Sequence, residues 1–152
     1  MNKQKFNLSE YDDTIREVLE SGGEFRMYPS GTSMLPLLRQ GKDSVSLIKP
    51  SGMLKRGDIA FYTRDNGAYI LHRVVKSDNG SYTMCGDNQI LLEKGVDHSH
   101  IIGIVNRIFR DDKPFNTNSA GYKLYLWLWR CFFIRRVFFK LRNIFCKGKQ
   151  NG

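Results

Sequence analysis

The sequence has no run of about 18 uncharged apolar residues, the length at which a simple membrane-spanning helix is read, so no simple span is expected. The opening, Met1-Asn2-Lys3-Gln4-Lys5-Phe6-Asn7, is basic but no apolar segment follows it. A secretory leader is therefore not expected. Cysteine is scarce: Cys85, Cys131 and Cys146 are odd in number and widely spaced. That pattern excludes a disulfide framework and a C-x-x-C metal pair, and three reduced thiols are expected. Internal repeats and low-complexity tracts are absent. Acid is missing from residues 121–152, which carry eight Lys/Arg and no Asp or Glu.

What is present fits one folded domain. The chain has 152 residues, 41% of them hydrophobic and 26% charged, enough for a core of its own and too apolar for a disordered chain. Residues 1–120 carry 16 Lys/Arg against 15 Asp/Glu, so +8 of the net +9 lies in the last fifth of the chain. A nearly neutral body with a cationic tail points to a polyanionic partner, either nucleic acid or an anionic membrane face.

The spacing of Tyr11, Ile15, Val18 and Leu19 predicts a helix over 9–21. Ser9 would cap it, Asp12 and Asp13 suit its first turn, and Gly22-Gly23 would stop it. Strands are expected at 24–28, 44–48, 58–63, 68–76, 81–85 and 101–109. Asp65-Asn66-Gly67 and Asp78-Asn79-Gly80 are hairpin turns joining the third, fourth and fifth of these. The fold class is mainly β: a small antiparallel, β-barrel-like domain over 25–110, after an N-terminal helical segment at 1–24. A polar linker follows at 111–121, then a basic aromatic helical tail at 122–152.

Three segments carry candidate chemistry. In Pro29-Ser30-Gly31-Thr32-Ser33-Met34-Leu35-Pro36, a serine sits in a constrained turn where its hydroxyl can project and its own N–H can face an oxyanion. Such stretches are commonly plain turns. Ile70-Leu71-His72-Arg73-Val74-Val75 places an imidazole on an apolar strand. A histidine there is often structural, but serine is weakly nucleophilic and needs a neutral base to take its proton. Cys85-Gly86-Asp87-Asn88 is either a turn or the source of a carboxylate that holds the imidazole's second nitrogen.

Taken in order, Gly-Thr-Ser-Met-Leu-Pro, Arg56-Gly57-Asp58-Ile59-Ala60-Phe61, Leu71-His72-Arg73-Val74-Val75 and Gly86-Asp87-Asn88 resemble the successive boxes of the type I signal peptidase family and its wider S24/S26 peptidase clan. The resemblance covers roughly residues 25–110. It implies a serine endopeptidase with Ser33 as nucleophile and His72 as general base, histidine at this position resembling the endoplasmic-reticulum and archaeal branch. It further implies that Asp87 is tied to catalysis and that Gly57, Asp58, Arg73, Gly86 and Asn88 form structural boxes. Many members read Ser-Gly-Ser-Met, the earlier serine helping to form the oxyanion hole. Here Thr32, Ser30 and the neighbouring Met34 are the candidates that shape this part of the site. The N-terminal anchor and the extra subdomain of large bacterial members are not expected. A second aspartate often follows the Gly-Asp-Asn box in the histidine branch, and Asp97 is the candidate taken for it. The resemblance implies no cofactor and no metal, and a peptide or protein with a cleavable leader as substrate.

His98 and His100 alternate around Ser99 and would share a face on a strand, but spacing offers no third metal ligand, and a polar loop is the plainer expectation. Residues 122–145 hold nine aromatics and six basic residues. As one helix they would reach about 36 Å, long enough to cross a bilayer. Arg130, Arg135, Arg136 and Lys140 oppose that, each costing about 2.5–3.5 kcal/mol near the bilayer centre. A helix lying in an anionic membrane surface through residues 122–149 is expected instead, with a spanning helix second and nucleic acid third. Two further readings stand beside the peptidase: a non-catalytic scaffold module of the same fold at a membrane, and a self-cleaving repressor, for which residues 1–24 hold no helix-turn-helix.

Overall fold

The computed structural model describes residues 8–130, 135 and 137. Helix α1 (Leu8–Glu20) leads into β1 (Phe25–Met27), β2 (Asp43–Ile48), β3 (Ile59–Thr63), β4 (Tyr69–Asp78), β5 (Ser81–Cys85) and β6 (Glu93–Asp97). A short 3-10 turn, His98–His100, precedes β7 (Ile101–Arg110), β8 (Lys113–Pro114) and α2 (Ala120–Arg130). All pairings are antiparallel, in the order β1-β2-β7-β3-β4-β5-β6, with β8 on β7. The mainly β reading holds. The sheet is open, however, running from β1 to β6 without the barrel-like closure expected from sequence.

Both hairpins form where their turn residues stand. Asn79 and Gly80 have φ of 43° and 87°, the pair of positive angles a two-residue turn requires, and Asp78 faces Ser81 across it. The other hairpin closes through Arg64 N–H to Ala68 O at 2.9 Å. Alternation along β3 and β4 then separates two faces. Ile59, Phe61 and Leu71 join Ile15 and Leu19 of α1 in one buried cluster with Met34, Leu37 and Leu38. Ala60, Tyr62 and Val74 face the other way, with Tyr82, Met84 and Val96. Gly103 lets α1 approach the sheet, since a Cβ there would lie 3.0 Å from Leu19 Cδ1 and 3.1 Å from Ile48 O.

The expected 111–121 linker is partly structured, its Lys113 and Pro114 pairing with the end of β7. The start of the tail is not free either: Tyr122 and Tyr125 of α2 pack against the first cluster. The remainder of the expected tail helix, apart from Arg135 and Val137, lies outside the described residues. Among the described residues, no helix is long and apolar enough to cross a membrane.

Candidate active site

Ser33 lies in the turn between β1 and β2, half-buried, with exposed Thr32 before it and buried Met34 after it. Burial of Met34, Leu37 and Leu38 in the first cluster anchors that turn to the body. A second tether comes from the Gly-Asp-Asn box. Asn88 N–H donates to Ser33 O at 2.7 Å, and Asn88 Nδ2 donates to Thr32 O at 3.0 Å. A Cβ on Gly86 would meet Ser33 O at 2.6 Å, so only glycine allows this approach.

His72 sits on β4 opposite Ala60 of β3 and is 5% exposed. The first pairing between β4 and β5 is Arg73 with Cys85. Among the described residues, no strand therefore covers the outer edge of β4 at residues 69–72. The Ser33 turn lies against that stretch. Ser33 and His72 both line one cleft of about 440 Å³, open to solvent, whose walls also include Ser30, Met34, Tyr69 and Ile70. No hydrogen bond joins Ser33 Oγ to His72 among the described residues.

Behind His72 lies a polar chain. Tyr62 Oη donates to Glu93 Oε2 at 2.8 Å and lies 3.4 Å from His72 Nδ1. Because the phenol's proton goes to the carboxylate, the Tyr62 oxygen is left to accept from Nδ1–H. The tautomer then carries its lone pair on Nε2. Arg64 grips Glu93 with Nε and a terminal nitrogen at 2.7 and 2.6 Å. That pairing holds Glu93 below the usual carboxylate range, although burial opposes it. Burial first, then Glu93, push the Tyr62 phenol far up, so it stays protonated. Burial also drives the His72 imidazole down, to about 4, against the opposing fields of Glu93 and Asp87.

Asp87 is placed differently from the expectation. Its carboxylate, 1% exposed, does not hold the imidazole: it accepts Arg73 Nε at 2.9 Å and a terminal Arg73 nitrogen at 2.7 Å. A planar guanidinium two-pronged on a carboxylate outcompetes a single imidazole contact. Arg73 also donates to Gly57 O at 2.8 Å. The Gly57-Asp58 box is the turn that completes this frame. Gly57, at φ 106°, donates to Val74 O at 2.9 Å, Val74 donates back to Asp58 O at 2.8 Å, and the Asp58 carboxylate accepts Lys55 N–H at 2.7 Å.

Asp97, the candidate second aspartate, caps the 3-10 turn by accepting Ser99 N–H at 2.9 Å. His98 and His100 lie in that turn and not on a shared strand face. His98 Nδ1 is 2.7 Å from Tyr82 Oη, and His100 Nε2 is 3.2 Å from Asp65. The acid that does stand behind His72 is Glu93, which the sequence reading missed together with Tyr62 and Arg64. The available signal is proximity, since Glu93 is nearer to Asn88 than Asp97 is, but it is a glutamate where the resembled pattern has an aspartate.

α2 closes the far side of the Gly-Asp-Asn loop. Tyr125 Oη donates to Asp87 Oδ2 at 2.7 Å, and Trp129 Nε1 donates to Asp87 O. Arg135 donates to Gly86 O. No protein-family model matches this chain, and no curated protein is similar to it.

Proposed function

We propose that this chain is a serine endopeptidase of the signal-peptidase type, working at a membrane surface on peptides that carry a cleavable leader. The observation that carries the reading is the shared cleft of Ser33 and His72, with Tyr62 and Glu93 behind the imidazole. The uncovered edge of β4 along residues 69–72 suits an extended peptide added as a further strand, which would lay a carbonyl across Ser33. Attack by Ser33 Oγ on that carbonyl transfers the hydroxyl proton to His72 Nε2. The imidazolium so formed is stabilised through Nδ1–H, Tyr62 and ionised Glu93. Among the described residues no acceptor takes the Ser33 N–H, which supports its use for the oxyanion, with Thr32 or Ser30 beside it. The imidazolium then protonates the leaving amine, and water releases the acyl group from Ser33.

Membrane contact is assigned to the outer face of α2, where Leu124 and Trp127 are 56% and 65% exposed, and to the cationic residues up to 149. The deciding experiment is cleavage of a synthetic leader peptide with an apolar segment and an Ala-x-Ala cleavage site. Ser33→Ala and His72→Ala should each reduce cleavage to background while circular dichroism stays unchanged. Cleavage retained by Ser33→Ala removes the nucleophile assignment. That no hydrogen bond joins Ser33 Oγ to His72 among the described residues favours one alternative, a non-catalytic module that binds peptides in the same cleft. That alternative requires a folded wild-type chain that binds the peptide without cutting it.

A further inference from the structure

We infer that Tyr125 and Trp129, on the tail helix, are positioning residues for the nucleophile turn; the inference rests on the reading of Ser33 as nucleophile. Neither residue lines the cleft that holds Ser33 and His72. They act through the loop between β5 and β6, which is held on both sides. On one side Tyr125 Oη meets the buried Asp87 carboxylate at 2.7 Å, Trp129 Nε1 meets the Asp87 carbonyl, and Arg135 meets the Gly86 carbonyl. On the other side the next residue, Asn88, holds Ser33 O through its N–H at 2.7 Å and Thr32 O through its side chain at 3.0 Å. Gly86 is in near contact with the same Ser33 carbonyl.

Three consecutive residues thus connect α2 to the backbone of the nucleophile. Arg73 holds both oxygens of the Asp87 carboxylate, Oδ1 through Nε and Oδ2 through a terminal nitrogen, and Tyr125 Oη is a second donor to Oδ2. Tyr125 is itself set by stacking, its ring 5.2 Å from Trp129 and 6.0 Å from Tyr122. A solvent-open cleft beside Trp129 and Leu126 also touches Arg73 and Asp87.

Tyr125→Phe keeps the ring and its stacking and removes only the hydroxyl; Trp129→Phe removes the indole donor together with one of its two rings. Each variant should lower kcat for the synthetic leader peptide about tenfold with KM within about twofold, and Tyr125→Phe should leave the melting temperature nearly unchanged. Labelling of Ser33 by a fluorophosphonate probe should slow in parallel. A purely structural role would move the melting temperature and leave the kcat of the folded fraction alone. Combined with Asn88→Ala, Tyr125→Phe should cost less than the product of the two single losses, because both act through one loop. Wild-type kcat in both α2 variants, or losses that multiply fully with Asn88→Ala, would overturn the coupling while leaving Ser33 as nucleophile. A folded wild-type chain that neither cleaves the peptide nor takes the probe removes the peptidase reading itself, and this inference with it.

Discussion

At the scale of single residues, the proposed peptidase chemistry turns on how a buried imidazole can serve as a base. Burial lowers His72 to about 4, so it is neutral at pH 7 and ready to accept a proton. It is also a weak base, and the ionised Glu93 behind Tyr62 offsets that weakness as positive charge develops. If this environment is the working one, kcat/KM should be flat between about pH 6 and 8, with its acid limb near pH 4 to 5. The sequence alone, with an ordinary histidine near 6.5, leads to a rise between pH 6 and 8, so a pH–rate profile separates the two. Stability carries the same sign. The unfolded histidine takes its proton near 6.5 and the folded one only near 4. Between those values the unfolded chain binds more protons, and stability falls as pH drops through the window. The full effect is on the order of 3 kcal/mol. Urea denaturation at pH 7 and 4.5 should show it as a difference between wild type and His72→Gln, which lacks this group. Tyr62→Phe tests the relay: it should lower kcat/KM at least about tenfold without changing peptide affinity. That Ser33 and His72 line one cleft agrees with the expectation from residue type and order. The partner of Asp87 was not legible, because spacing does not say whether a carboxylate meets an imidazole or a guanidinium, and Arg73 next to His72 decided it.

At the scale of elements, the site is assembled where one loop and one turn are pressed together. Gly86 is the closest point, and a Cβ there would fall 2.6 Å from backbone oxygen of Ser33 and 2.9 Å from the Gln89 side chain. Backbone cannot yield cheaply at such a distance. Gly86→Ala should therefore cost about 1–3 kcal/mol, as overpacking does, and under the proposed mechanism should lower kcat further by moving the Ser33 turn. Gly52→Ala is the matched control, since a Cβ there meets nothing within 4 Å; chemical denaturation and peptide cleavage should leave it near wild type. This juxtaposition could not be read from sequence, because residues 33 and 86 meet only through the order of the strands. The strands themselves were largely legible where apolar alternation and Asn-Gly turns coincide, as in β3, β4 and β5. β6 was missed because Glu93-Lys94-Gly95-Val96-Asp97 offers only Val96 to the core. β8 was missed because it is two residues long and ends in proline, which is tolerated only at a sheet edge. Barrel-like closure was inferred from the number of short strands, but closure depends on shear and register, which strand count does not supply.

At the scale of the whole molecule, positive charge and aromatic residues are both concentrated at one end of the chain, and the structure turns the side chains of α2 two ways. Tyr122, Tyr125 and Trp129 turn inward, whereas Leu124 and Trp127 turn outward. Composition alone revealed the aromatic excess but not which rings are already occupied by the protein. The chain has 2 tryptophans, and both lie on α2. Intrinsic tryptophan fluorescence therefore reports on this helix alone. Adding vesicles that contain phosphatidylserine should shift the emission to shorter wavelength as Trp127 enters the headgroup region, while purely phosphatidylcholine vesicles should do so weakly. The difference reflects the cationic residues, each contributing about 1 kcal/mol near an anionic leaflet, and raising ionic strength from about 0.1 to 1 M should remove most of it as the screening length falls from about 10 to 3 Å. Trp129→Phe should keep the shift, because its remaining tryptophan is the outward one. Trp127→Ala should lose the shift and weaken co-sedimentation with the vesicles at least about fivefold, in line with withdrawal of one large apolar side chain from the interface. Equal binding of wild type to both kinds of vesicle, or undiminished binding by Trp127→Ala, would show that the outer face of α2 does not hold this chain to a membrane.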